Sequence, residues 1–350
     1  MKKLIMVFAS VASILVLCKP LYAEEIQATT NNKPESMPES IFDNFKLGGY
    51  GSAGITIPRT GDTEAALNEV SLLLTWNGNS RWSFFGELEL ENPLSWNDER
   101  QFNSKSSHLD LERLYLDYNF SENLNLRMGR FLTPNSRWNL LHASPLVWTD
   151  SRPLATYRLF PTGTNGLMLH GSKPLGEYAV DYMLFSEVLE DQEDDDFELG
   201  FEHVHGGRVA LSKGWNIGVS LLSFVEKNVS GFGGKNQSYR MLGLDFVTDI
   251  GGAEISGEGF ARTKSGGGDG GSGAYLQSAV PLSKLGLNNW FWLTRIETLQ
   301  RPNEGNAERW LIGATWRAKP TQLLKLEFIG GTGDQPDAPR GFTASYALFF

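Results

Sequence analysis

The chain has 350 residues, 41% hydrophobic and 12% aromatic, with 38 glycines, one cysteine and a formal charge of −10. That much apolar content excludes global disorder, and a mean hydropathy of −0.27 is too polar for a bundle of membrane helices. The acidity argues against a nucleic-acid partner, which needs a basic face.

From the N-terminus, Lys2 and Lys3 precede an apolar run, Leu4 to Leu17, and Ala23 closes a cleavage site before Glu24-Glu25. This is the layout of a secretory signal peptide over 1–23, with an apolar run shorter than the ~20 residues of a membrane span. Lipoprotein cleavage before Cys18 is the competing reading, and Leu17 is larger than the small residue it wants. Without 1–23, 327 residues remain, with 28 Lys+Arg against 41 Asp+Glu, a charge of −13, and no cysteine. Disulfides therefore do not hold the mature chain together. Residues 24–44 are polar, hold Pro34 and Pro38 and lack periodicity, so a flexible leader is expected ahead of one domain over 45–350.

From Phe45 onward the pattern has period 2. Leu47, Ala53, Ile55 and Ile57 share one face. Val70, Leu72, Leu74 and Trp76 oppose Glu69, Ser71 and Thr75. Trp82, Phe84, Leu88 and Leu90 oppose Glu87, Glu89 and Glu91. Leu114, Leu116 and Tyr118 alternate with Arg113, Tyr115 and Asp117, and Leu124, Leu126 and Met128 with Asn125 and Arg127. Similar segments recur around 167–169, 178–184, 208–211, 217–221, 242–246, 254–262, 274–281, 290–297, 309–317, 324–328 and 342–350. The count is about sixteen strands of ~8–13 residues, the length of tilted membrane-spanning strands. Short connections such as 121–123 and 212–214 alternate with long ones: 92–107, 131–165, 186–205, 226–238, 263–273, 301–308 and 331–341.

Alternating strands suit either a soluble sandwich, here a periplasmic binding protein, or a membrane barrel with lipid outside and water inside. Charged residues recur on the polar faces, as a wet lumen allows. Trp76, Trp82, Phe120, Trp215 and Trp316 sit near strand ends, as in an interfacial girdle. Phe342, Ala344, Tyr346, Leu348 and Phe350 are in phase at the end of the chain. The expected fold is an all-β transmembrane antiparallel barrel.

That ending resembles the C-terminal signature of bacterial outer-membrane barrels, which implies reading of the last strand by the insertion machinery. Sixteen strands with an unusually long third outer loop resemble the bacterial porins. The run Arg127-Met128-Gly129-Arg130-Phe131-Leu132-Thr133-Pro134 is similar to a segment of the phosphate-selective porin O/P-like group. The resemblance implies a bacterial outer-membrane location, contact with lipid and lipopolysaccharide, a homotrimer, and a third loop, Phe131–Asn165, that folds into the lumen. The basic ladder is too sparse to carry over phosphate selectivity.

That loop holds Arg137, Arg152 and Arg158, with Arg130 at its edge and Asp150 as its one acid. Arg113 and Arg127 extend the basic row. Glu87, Glu89, Glu91, Asp110, Glu112 and Asp117 supply acid opposite. Opposed charged rows orient small polar solutes and set ion selectivity. Lumenal salt bridges that only hold the loop are the competing reading. The acidic run Glu190–Glu198, with Asp194, Asp195 and Asp196, and then His203 and His205, suits a hard cation such as Ca²⁺ or Mg²⁺ or a solvated loop. Ser265–Gly273 lacks the Lys-Ser/Thr of a phosphate loop and is expected to be a flexible external loop. No cofactor is implied. The expected function is a passive diffusion channel for small hydrophilic solutes or ions, with no enzymatic chemistry. An outer-membrane hydrolase and a structural or adhesive barrel are the alternatives, since catalytic triads are set by geometry and not order.

Overall fold

The computed structural model describes residues 44–78, 81–97, 102–104, 106–156, 159–190, 200–229, 234–302, 305–333 and 340–350. The expected signal peptide and leader apart from Asn44, Arg158, and residues 191–198 of the acidic run, with Asp194, Asp195 and Asp196, lie outside them.

Sixteen strands follow one another: β1 Phe45–Pro58, β2 Glu64–Asn77, β3 Trp82–Asn97, β4 His108–Ser121, β5 Leu124–Leu132, β6 Gly163–Leu175, β7 Tyr178–Glu187 and β8 Phe201–Ser212. The second half holds β9 Trp215–Val229, β10 Lys235–Ile250, β11 Ala253–Lys264, β12 Asp269–Pro281, β13 Trp290–Arg301, β14 Gly305–Lys319, β15 Gln322–Thr332 and β16 Gly341–Phe349. Each pairs antiparallel with its chain neighbours, and β1 pairs with β16, closing the sheet into a barrel. Closure removes both sheet edges. It is sealed by reciprocal backbone bonds between Gly49 and Phe350, 3.0 and 2.9 Å.

The two faces differ as the alternation demands. Leu72, Leu184, Leu221 and Ile296 are exposed, while Ser71, Glu87, Arg295, Lys325 and Glu327, one position out of phase, are buried on the inner face. All sixteen strands expected from the sequence are present, but several run further than the hydropathy does. The connections expected at 226–238, 263–273 and 301–308 shrink to 230–234, 265–268 and 302–304. Pairing continues there through pairs that include a polar residue, such as Lys235–Val229, Thr263–Asp269 and Arg301–Gly305. The glycine-rich stretch is thus corrected: Ser265–Gly268 is a tight turn and Asp269–Gly273 belongs to β12.

The inner face is not uniformly polar. Phe131, Met168, Phe185, Leu222, Phe224, Met241, Phe260 and Leu299 form a buried apolar cluster on β5–β13. It is completed by Leu154, Ala155, Leu159 and Phe160 from the β5–β6 connection. Sequence reading placed the apolar residues on the outer face alone. In β9 and β10 both phases are apolar, with Leu221 and Leu242 facing out and Leu222 and Met241 facing in.

Candidate functional site

The β5–β6 connection, 133–162, is the longest in the barrel. Its root is tied by one side chain: Asn139 Nδ2 donates to the carbonyls of Thr133 and Thr162, both at 2.9 Å. Ser136 caps a five-residue helix, α1 (Arg137–Leu141), accepting from the Asn139 N–H at 3.2 Å. An N-cap of this kind stabilises by about 1 kcal/mol. A 3₁₀ turn follows at Leu154–Thr156. Gly129 in the preceding strand has φ 129°, and a Cβ there would lie 2.2 Å from the Leu114 carbonyl oxygen. Only glycine fits. This accounts for the glycine of the Arg127–Pro134 run.

Side chains on the polar face of distant strands hold the connection's backbone. Ser220 of β9 donates to the Asn135 carbonyl at 2.6 Å. Glu258 of β11 accepts from the Trp138 N–H at 2.6 Å. Lys325 of β15 donates to the Ser144 and Thr149 carbonyls at 2.7 and 3.0 Å. Glu254, one residue into β11, accepts from Trp148 Nε1 at 3.0 Å. Glu297 of β13 accepts from the Leu154 N–H at 2.6 Å, and Arg262 donates to the Leu159 carbonyl at 3.1 Å. Glu254 and Arg262 lie at opposite ends of β11, about 26 Å apart at ~3.3 Å per residue. The connection therefore spans most of the height of that strand.

A polar cavity of about 420 Å³ lies between this connection and β1–β3. Glu69, Glu89 and Glu91 line the strand side, and Asp150, Ser151 and Arg152 the loop side. A second depression, about 590 Å³, involves exposed apolar residues of β12–β14 such as Leu276 and Trp310. Glu297, Glu308 and Arg309 also line it, and Arg309 borders both.

The arginines expected to face acidic residues across a gap meet them directly. Arg113 is bonded to Glu87, Arg127 to Asp117 at 2.8 Å, and Arg130 reaches Asp110 at 3.8 Å. Arg113 also lies over Phe85 at 4.7 Å and Arg127 over Tyr115 at 3.7 Å. Arg152 donates to the Thr156 carbonyl at 2.7 Å and covers Trp138 at 4.7 Å. Arg137 opens α1. His142, at the end of α1, is 3.2 Å from Glu112. Burial pulls its pKa down, but the bond to Glu112 and that carboxylate's charge outweigh this and raise it above the usual imidazole value. His170 lies 3.6 Å from Asp117.

The metal candidates separate. His203 joins Glu190 and Glu202, with ligand atoms within 4.8 Å of one another. His205 Nδ1 turns instead to the His203 carbonyl at 3.0 Å. Sequence reading missed Glu226, Glu254, Glu258, Glu297, Arg295, Arg309 and Lys325, which bind the connection or its supports. Their signal was present as charges in phase with the buried face.

No protein-family model matches the chain. An uncharacterised protein of Aquifex aeolicus is 30% identical over 136 residues, a match spanning 38% of this chain and 30% of that protein. Among solved structures, an anion-selective porin of Comamonas acidovorans covers 87% of this chain and 98% of its own, at 13% identity and TM-score 0.61. OmpT of Vibrio cholerae in a trimer form gives 87% and 99%, 9% identity and TM-score 0.59. OmpF of Salmonella typhi, complexed with daunomycin, gives 88% and 98%, 11% identity and TM-score 0.58. The chain has the sixteen-stranded barrel fold of these outer-membrane proteins.

Proposed function

We propose that this chain is an outer-membrane porin, a passive channel for small hydrophilic solutes or ions. The observation that carries the reading is the pairing of an apolar outer face with a charged, water-accessible cavity inside one closed barrel. A closed barrel satisfies its backbone internally, as a bilayer requires, and sixteen strands leave room for an aqueous path. In this reading the 133–162 connection crosses the lumen and narrows it, and Arg137 and Arg152 face the permeant beside Glu89 and Glu91. Lipid and lipopolysaccharide contact the outer face, the final strand is read during insertion, and three copies assemble. Glu190, Glu202 and His203 hold a surface divalent cation.

Nothing in this mechanism needs a reacting bond. His142 lies 3.2 Å from Glu112 and His170 3.6 Å from Asp117, contacts that suit ion pairing. Single-channel recording of the purified protein in planar bilayers tests the reading, with discrete conductance steps expected. Arg137→Ala with Arg152→Ala should shift the reversal potential in a salt gradient. A closed barrel without conductance, or one that cleaves lipid or peptide, would contradict it.

A further inference from the structure

We infer that the open part of the lumen prefers cations, through Glu69, Glu89 and Asp150, against the direction that the arginine-rich loop suggests. This deepens the channel reading and rests on it. The cavity is lined by β1–β3, with Arg309 of β14, Ile329 of β15 and Thr343 of β16 beside them, while the loop is bonded chiefly to β9, β11, β13 and β15 and touches β1 through Ser144 and Ser52 at 3.4 Å. Permeants that use this cavity pass Glu69, Glu89 and Glu91 of β2 and β3.

The cations around that path are largely matched. Arg113 carries Glu87, and Arg309, which reaches the cavity from β14, shares Glu297 with Arg295, at 2.8 and 3.4 Å. Lys325 is fully buried under the loop, bonded to loop carbonyls, with Glu327 two residues away on the same face. A paired charge acts as a dipole, and its field fades well within the ~8–10 Å screening length.

The carboxylates on the path are held differently. Glu69 takes the Ser52 hydroxyl at 3.0 Å. Glu89 takes the hydroxyls of Tyr50 and Ser71 at 2.9 and 2.7 Å. Neutral donors orient a carboxylate without cancelling its charge. Asp150 is fixed by its own backbone N–H, which donates to Glu327, and its side chain lines the cavity. Glu69 and Glu89 are diagonal neighbours across β2 and β3. Counted together as a single charge, they leave three negative centres, with Glu91 and Asp150, against Arg152 and the one charge by which Arg295 and Arg309 exceed Glu297. A ring of this sign concentrates cations and repels phosphates and carboxylates.

The test is the reversal potential of the full-length protein in planar bilayers under a KCl gradient. Wild type should show a several-fold preference for K⁺ over Cl⁻, shrinking as salt is raised. Glu69→Gln with Glu89→Gln should bring the ratio toward unity, and Asp150→Asn, on the loop and outside the strands, should lower it independently. Arg152→Ala should raise it. An open channel that prefers chloride, or a ratio unmoved by the carboxylate variants, overturns the inference and leaves the channel reading intact. Absence of conductance overturns both.

Discussion

Glu327 of β15 grips Ser151 twice, accepting its backbone N–H at 3.2 Å and its hydroxyl at 2.7 Å. The same carboxylate takes the Asp150 N–H. Bonds to a charged acceptor stabilise by about 1.5–3 kcal/mol each. Glu327→Ala is therefore expected to free Asp150–Ser151, giving noisier single-channel current and faster labelling of a cysteine placed at Ser151. Unchanged noise and labelling would show that Lys325 and Arg295 hold the loop without it.

Glu226 sits between Arg262 and Arg301 at 2.7 and 2.8 Å, all three side chains nearly inaccessible. Removing the shared anion leaves two buried guanidiniums facing each other. Glu226→Ala should cost about 3–5 kcal/mol, read as a lower midpoint of heat unfolding in detergent. Glu226→Gln, which keeps two acceptor or donor positions but no charge, should fall between wild type and alanine.

A Cβ at Gly273 would stand 3.0 Å from Ala155 Cα and 3.1 Å from Leu159 Cδ1. Gly273→Val is expected to push the 3₁₀ turn off the β12 wall, with an overpacking cost of about 1–3 kcal/mol. Limited proteolysis checks this: cleavage within 150–162 should accelerate, while strand content by circular dichroism stays constant.

The His142–Glu112 contact makes loop anchoring depend on pH. The folded loop raises the imidazole pKa, so it favours the protonated form. The extra stability is complete below the ordinary value of about 6.5 and is lost as pH rises through the raised value. Arg152 opposes the shift and bounds it. Conductance noise should therefore increase on the alkaline side. His142→Gln should flatten that dependence, and a profile unchanged by the substitution would remove His142 from the anchor.

Strand number and order were legible because the outer face is read by one rule. Leu72, Leu184 and Ile296 all lie exposed on the outer face. That the connection between β5 and β6 is long was legible, but not its attachments. Glu258 bonds to Trp138 across 120 residues of sequence, and no period links such partners. Arg113 and Glu87 were each named as site residues, yet their direct bond depends on a register shifted between Glu87 and Glu89, which alternation does not fix. The inner apolar cluster was hidden for a different reason. Leu222 beside Leu221 breaks alternation, and a two-sided apolar strand looks like a stronger outer strand until its inner partner, Leu159 or Phe160, is known.

The connection leaves the wall at β5, is fastened to β11, β13 and β15, and returns at β6. In the proposed channel it would work as a spar across the cylinder as well as an obstacle within it. A tube of paired strands resists stretching along its hydrogen bonds but flattens easily, and lateral pressure in a bilayer acts in that sense. A spar fixed to β9, β11, β13 and β15 keeps the cross-section from going oval. Cutting it should change the shape of the tube before it changes the number of ions that pass.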